Sequence, residues 1–232
     1  MTGSDSVFWY ISVAVQFCFC LYLLSTRIYK NLPIFTLYLG SSVAASLGAL
    51  YFMRGAEGSF LPLSYTYYWL WVEPVLLLLR CGVALEVHGS LWKQHATLAR
   101  PARPLLIFAL LTAIVFAGVP LIAELGRYHT SQLMAMVHFE FLVVRYVLSV
   151  LAIFLVLSAL LFFFVVRGGF ETDLFRHEGM LAVHFSIYSI AYFLVDIGWT
   201  QADLNKYMLS AFTLCLVIWI TAFKPDDLLV ND

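Results

Sequence analysis

Apolar residues run along this chain in seven long blocks, at about 7–25, 33–53, 65–92, 104–124, 133–166, 177–199 and 207–223. A helix needs about 20 mostly apolar residues to cross roughly 30 Å of hydrocarbon, and each block is near or above that length. Runs such as 160–166 are apolar on both faces, so the alternation of a membrane β-barrel is absent. Short polar or turn-forming stretches separate the blocks, among them Arg54-Gly55-Ala56-Glu57-Gly58, Arg100-Pro101-Ala102-Arg103-Pro104 and Arg167-Gly168-Gly169. The pattern predicts an all-α polytopic membrane protein, with residues 1–232 as a single domain of seven transmembrane helices. Gly118 and Pro120 predict a kink near the end of the fourth span.

Composition narrows the class further. Of the 232 residues, 62% are hydrophobic and 12% charged, with a mean hydropathy of +0.90. A soluble domain has roughly 45–50% apolar and about 25% charged residues, so this chain cannot build a water-facing surface. Disordered, collagenous, coiled-coil and disulfide-scaffold classes fail on the same figures. The formal charge of −1 supplies no basic field for nucleic acid. The partner that composition requires is the lipid bilayer.

Lys and Arg set the expected orientation. Eight of them (Arg27, Lys30, Lys93, Arg100, Arg103, Arg167, Arg176, Lys224) fall on one side and three (Arg54, Arg127, Lys206) on the other. Arg80 and Arg145 lie within spans. This bias places the amino terminus outside and the carboxyl terminus in the cytoplasm. Met1–Ser6 carries no positive charge and no small-x-small cleavage site follows, so the first span is expected to remain as an anchor. With six residues before the first span and nine from Lys224 onward, no soluble output module is expected, and a signal would pass to a cytoplasmic partner protein. No internal repeat of the inverted-repeat transporter kind is evident. The four cysteines (Cys18, Cys20, Cys81, Cys215) all sit within spans without a CxxC pair, and read as core filler rather than disulfides or thiolate ligands.

Ionisable groups inside lipid cost about 2.5–3.5 kcal/mol each even on the lenient insertion scale, so they need partners or a role. The third span carries the densest set. At 100° per residue, Tyr65, Trp69, Glu73, Leu76 and Arg80 share one stripe, and His88 and Glu86 lie off it on opposite sides. Glu73 and Arg80 are seven residues apart, a rise of about 10.5 Å, so each is expected to find its partner on another helix. The fifth span offers His138, Glu140 and Arg145; the sixth offers Ser189, Tyr192 and Asp196 on one face. Depth counting puts these groups in the outer half with Arg80 nearest the midplane. Arg80 is expected to meet Asp196 or Glu140 in preference to Glu73. Two readings fit: a buried ion-pair network that fixes helix packing, or a polar pocket opening outward. The pocket would be lined by Trp69, Glu73, Arg80, His138, Glu140, Arg145, Tyr192 and Asp196, and would suit a zwitterion or polar headgroup.

In the inner half, His88 and His184 raise the question of a haem or metal between the third and sixth spans. No HxxxH or HExxH occurs, so neutral, satisfied histidines and no metal or cofactor are expected. Gly40, Ala44 and Gly48 form a row of small residues on the second span, which permits close helix approach within the bundle or in a homodimer. Tyr65, Tyr67, Tyr68, Trp69, Trp71, Trp199 and Tyr207 fit an interfacial aromatic belt.

Known seven-helix classes can be tested against these residues. A retinal Schiff base needs a lysine within the seventh span, and 207–223 has none. The acidic-Arg-aromatic and Asn-Pro-x-x-Tyr signatures of G-protein-coupled receptors are absent, as are the seventh-span histidines of zinc-dependent seven-helix amidohydrolases. Tyr67-Tyr68-Trp69 followed by Glu73 and Glu86, with Phe175-Arg176-His177-Glu178-Gly179 leading into the sixth span, resembles seven-helix integral membrane proteins of bacteria that have no established activity. The likeness covers about a third of the chain. Val183-His184-Phe185 departs from it, standing where such proteins tend to be glycine-rich. The resemblance implies architecture and a bacterial inner membrane, and nothing about chemistry.

No activated nucleophile, metal set or cofactor fingerprint is visible. The expected function is therefore non-enzymatic: a sensor, receptor-like module or accessory subunit with an outward-facing polar pocket. The alternative is a small-solute or proton-coupled transporter using Glu73 or Asp196, with a polar path continuing through Glu86 and His88.

Overall fold

A computed structural model describes residues 3–53, 63–93, 97, 100–124, 132–165, 173–196 and 201–222. Among these, the chain forms α1 (Gly3–Ser25), a 3-10 turn at Ile28–Lys30, α2 (Pro33–Met53), α3 (Leu63–Leu91), α4 (Ala102–Glu124), α5 (Gln132–Val165), α6 (Asp173–Asp196) and α7 (Gln201–Ala222). The apolar blocks and the helices agree to within a few residues, except that α1, α6 and α7 start four, four and six residues earlier than their blocks. Pro120 sits inside α4, which continues past it to Glu124.

The turn from α1 to α2 is made without glycine. Arg27 adopts a left-handed backbone (φ 59°, ψ 13°), Thr26 N–H closes on Tyr22 O at 3.0 Å, and Asn31 N–H on Ile28 O at 2.9 Å. Pro33 then opens α2, where its missing N–H and fixed φ cost nothing. The next two N–H groups would be orphans of the first turn. Glu86 of α3 takes both: its carboxylate accepts from Ile34 N–H at 2.9 Å and Phe35 N–H at 2.8 Å. At the opposite end of the same pair, Tyr68 O–H donates to Ala45 O at 2.8 Å. The start of α3 thus meets the end of α2, and the two run antiparallel.

α1 packs on α2 and α7, α2 on α3, α3 on α6, and α6 on α7, closing a ring. α5 lies against both α3 and α6, and α4 packs against α5. The apolar core threads the ring through Phe19, Phe35, Val83, Leu151, Phe185 and Trp219. A smaller cluster of Leu91, Trp92 and Phe162 closes the end where α3 terminates. Ser42 O–H donates to Gln16 Oε1 at 2.9 Å between α1 and α2, and the Ser149 and Ser189 hydroxyls meet at 2.6 Å between α5 and α6.

The outer surface is apolar on every helix. Phe17 and Leu21 of α1, Leu37 of α2, Trp71 and Leu78 of α3, Phe108 of α4, Leu157 of α5, Phe193 of α6 and Leu214 of α7 are all exposed. The interior holds Gln16, Glu73, Arg80, His88, His177, Glu178 and His184. Water would penalise both halves of this arrangement, whereas a hydrocarbon solvent rewards it. Four stretches are long and apolar enough to cross a membrane: Pro33–Phe52, Ala102–Pro120, Ala135–Val165 and Leu174–Val195. α3 is less apolar because it carries Glu73, Arg80 and Glu86, whose side chains turn to protein partners.

The small-residue row on α2 is used partly inside the bundle. A Cβ at Gly48 would lie 2.8 Å from Cζ of Tyr68, so only glycine admits that ring. Gly40 faces Cys20 of α1, while Ala44 is exposed.

Candidate functional site

The charged stripe of α3 turns into the bundle. Arg80 Nη1 donates to Glu73 Oε1 in a salt bridge, and the two residues are 4% and 8% exposed. This corrects the expectation that each would pair across helices. Seven residues return a helix to within about 20° of the same face, and helical side chains lean towards the amino terminus. The long Arg80 side chain reaches back up the helix while Glu73 stands in its path, so the two close a rise that the backbone alone would leave open.

The guanidinium is held from two further helices. Its Nε–H donates to the Tyr38 hydroxyl of α2 at 3.5 Å, and its Cζ lies 5.9 Å from the Tyr38 ring centroid and 5.3 Å from that of Tyr188 on α6. Tyr38 Oη in turn lies 3.2 Å from His184 Nε2. The Tyr38 hydroxyl accepts from Arg80 and its proton is available to His184 Nε2 in the tautomer that carries the histidine proton on Nδ1. His184 Nδ1 is buried without a hydrogen-bond partner, among the rings of Tyr188 and Phe212. A polar line therefore runs Glu73, Arg80, Tyr38, His184 through the core.

Glu140 of α5 flanks this line. It lies within electrostatic reach of Glu73, and its Oε1 is buried with no hydrogen-bond partner. Tyr192 of α6 lies within reach of Glu73, Arg80 and Glu140, with its ring 4.9 Å from Phe141. Both residues are half-buried, unlike the sealed pair beside them. Glu73 and Arg80 pair, and Glu140 Oε1 stands beside them without a hydrogen-bond partner.

The other predicted site residues are placed differently. Trp69 is half-buried and packs edge-on against Tyr65 and Tyr68, at 6.2 and 5.8 Å. Arg145 folds over its neighbour, donating to Tyr146 Oη at 3.1 Å with Cζ 4.8 Å from that ring. His138 is half-buried near the start of α5. Asp196 is the last residue of α6, and its side chain lies outside the described residues. The structure thus gathers Glu73, Arg80, Glu140 and Tyr192, and adds Tyr38 and Tyr188, which carry no charge and gave no signal in the sequence.

Glu73 and Arg80, expected to line an outward pocket between α3, α5 and α6, are both buried. Two shallow surface grooves lie elsewhere. One, of about 410 Å³, runs between α5 and α6 past Ala159, Gly179 and Ser186; the other, of about 480 Å³, lies beside α2 at Thr36, Gly40 and Ala44. His88 and His184 do not converge: His88 Nδ1 meets Ser158 Oγ at 2.7 Å, while His184 meets Tyr38. Among the described residues no group of three or more His, Cys, Asp or Glu side chains is placed to hold a metal. Comparison of the chain with protein-family models, curated proteins and solved structures finds no match in any of the three.

Proposed function

We propose that this chain is a seven-span protein of a bacterial cytoplasmic membrane, with its amino terminus outside, acting as a non-enzymatic sensor, receptor-like module or accessory subunit. Four helices meet the length and apolarity of a span unaided. α1, α3 and α7 join them on the strength of their exposed apolar faces and of the ring they close with α2 and α6. The excess of Lys and Arg in the alternate loops supports the orientation.

One observation supports a ligand role. Glu140 brings a carboxylate oxygen, buried and without a hydrogen-bond partner, to the flank of an ion pair that is already neutral. The matching ligand is a small solute bearing an ammonium group, received by Glu140 and the face of Tyr192 from the outer side. The sealed Glu73–Arg80 pair is the fixed floor of this site, and a cytoplasmic partner protein reads the inner loops. Thermal unfolding of the purified chain with a panel of ammonium-bearing zwitterions tests this. At a hundredfold excess over Kd a ligand stabilises by about 2.7 kcal/mol. The wild-type Tm should rise with at least one compound and Glu140→Gln should abolish the rise; an equal rise in both proteins would remove Glu140 from the site.

The transporter reading draws on a different observation. On the path foreseen, Glu86 accepts the amides that open α2 and His88 meets Ser158. The line from Arg80 through Tyr38 to His184 supplies another. Solute uptake into proteoliposomes that depends on a pH gradient would favour it over the sensor.

A further inference from the structure

A second polar centre lies at the opposite end of the bundle, on α3, α5 and α6. Ser158 Oγ sits 2.7 Å from His88 Nδ1 and accepts the indole N–H of Trp92 at 3.0 Å. Glu178 is 0% exposed and stands beside the same hydroxyl, and neither of its oxygens meets a well-aligned donor.

Among the described residues no cation is hydrogen-bonded to Glu178; Arg103 of α4 brings its guanidinium to Gly89 of α3. Residues 150–165 of α5 contain no titratable side chain. α7 presents Cys215, whose thiol is directed at Met180 O. On α3, besides His88, Glu86 is committed to the α2 amides and Cys81 lies about two turns nearer the middle of the helix. On α6 itself, His177 Nδ1 accepts from Trp219 Nε1–H at 2.9 Å and Arg176 is exposed.

A serine hydroxyl has one proton and two lone pairs. At Ser158 one lone pair takes the Trp92 N–H; in the tautomer with His88 protonated on Nε2, the hydroxyl proton goes to its Nδ1. The remaining lone pair faces Glu178, and a carboxylate has nothing to donate to it. A carboxylic acid does.

We propose that Glu178, Ser158 and His88 form a proton-binding relay, in which one exchangeable proton resides on the Glu178 carboxyl and passes through Ser158 to His88. In the transfer the Glu178 O–H bond breaks and its proton bonds to Ser158 Oγ, while the Ser158 proton moves to His88 Nδ1. The products are a carboxylate and an imidazolium, with the serine restored and no electron transferred. The relay does not rest on the ammonium site, which lies at the other end of the bundle and shares no residue with it.

Infrared spectroscopy of the full chain in lipid nanodiscs tests the proposal, using H/D exchange to identify protonated carboxyl bands. Near neutral pH the wild type should show a deuterium-sensitive carboxylic-acid band that is lost in Glu178→Gln. In Ser158→Ala, which keeps the carboxyl and removes its acceptor, the band should persist at a shifted frequency. A spectrum in which Glu178→Gln removes no acid band overturns the proposal, because Glu178 is then ionised. Should the Gln variant not fold, Ser158→Ala decides alone: a shifted band supports the relay, and an unmoved one overturns it.

Discussion

Arg80 reaches back two turns along its own helix to Glu73, so the ion pair at the centre of the bundle belongs to α3 alone. What ties it to the rest of the fold is aromatic: Tyr38 from α2 and Tyr188 from α6 pack over the guanidinium. Breaking a buried pair from one side leaves an uncompensated charge, at a cost of about 3–5 kcal/mol. Arg80→Leu should therefore lower thermal stability in detergent far more than Arg54→Leu. The double variant Glu73→Gln/Arg80→Leu should recover part of the loss, with a coupling of about 0.5–3 kcal/mol. Additive effects in that cycle would show that the two side chains do not pair in solution.

Glu86 is expected to behave as a helix cap supplied from a neighbouring helix. Removing an N-cap acceptor costs about 0.5–2 kcal/mol. Glu86→Ala should lose stability at the upper end of that range, since two amides lose their acceptor, and Glu86→Gln should lose less because one carbonyl oxygen remains. Unfolding midpoints that rank Gln below Ala would contradict the assignment.

Gly48 and Ala44 separate packing inside the bundle from packing between copies. Gly48→Leu drives a side chain into the Tyr68 ring and should destabilise by about 1–3 kcal/mol, as overpacking does. Ala44→Leu sits on an exposed position and should leave the unfolding midpoint near wild type. If Ala44→Leu nevertheless changes the mass measured in detergent by light scattering, the exposed part of the row is a contact between copies.

Orientation is checked chemically. In a chain whose four cysteines are replaced, single cysteines introduced at Glu57 and Asp203 should react with an impermeant thiol reagent on intact cells, and those at Gln94 and Glu171 should not. The opposite labelling would invert the chain and exchange the outer and inner sites.

The helices were legible because lipid demands long apolar runs, and the described bounds follow those runs closely. Gly48 as a point of close approach was legible too, since nothing else about that position favours glycine. The partner of Arg80 was not. Counting rise per residue measures backbone separation and ignores the length and lean of two long side chains. Tyr38 was invisible because α2 has no charge to draw attention to one tyrosine among its apolar residues. Glu86 did carry a signal: its position off the charged stripe of α3 pointed it at another helix, and Pro33 marked where that helix begins. Glu178 was read only as part of a loop-to-helix motif, and its burial against Ser158 depends on packing of α5 that periodicity does not report.

The two hydrogen-bonded contacts between α2 and α3 have a mechanical consequence. Glu86 fastens one end of the pair and Tyr68 the other, so neither helix can slide or roll against its neighbour without breaking bonds that hydrocarbon will not replace. The pair behaves as a rigid plank. The seam between α3 and α6 is of another kind at the level of Arg80: the guanidinium meets Tyr188 through the face of a ring, which has no fixed register along the helix axis. A movement that parted α2 and α3 together from α6 would carry the ion pair intact and would have to break the Tyr38–His184 hydrogen bond.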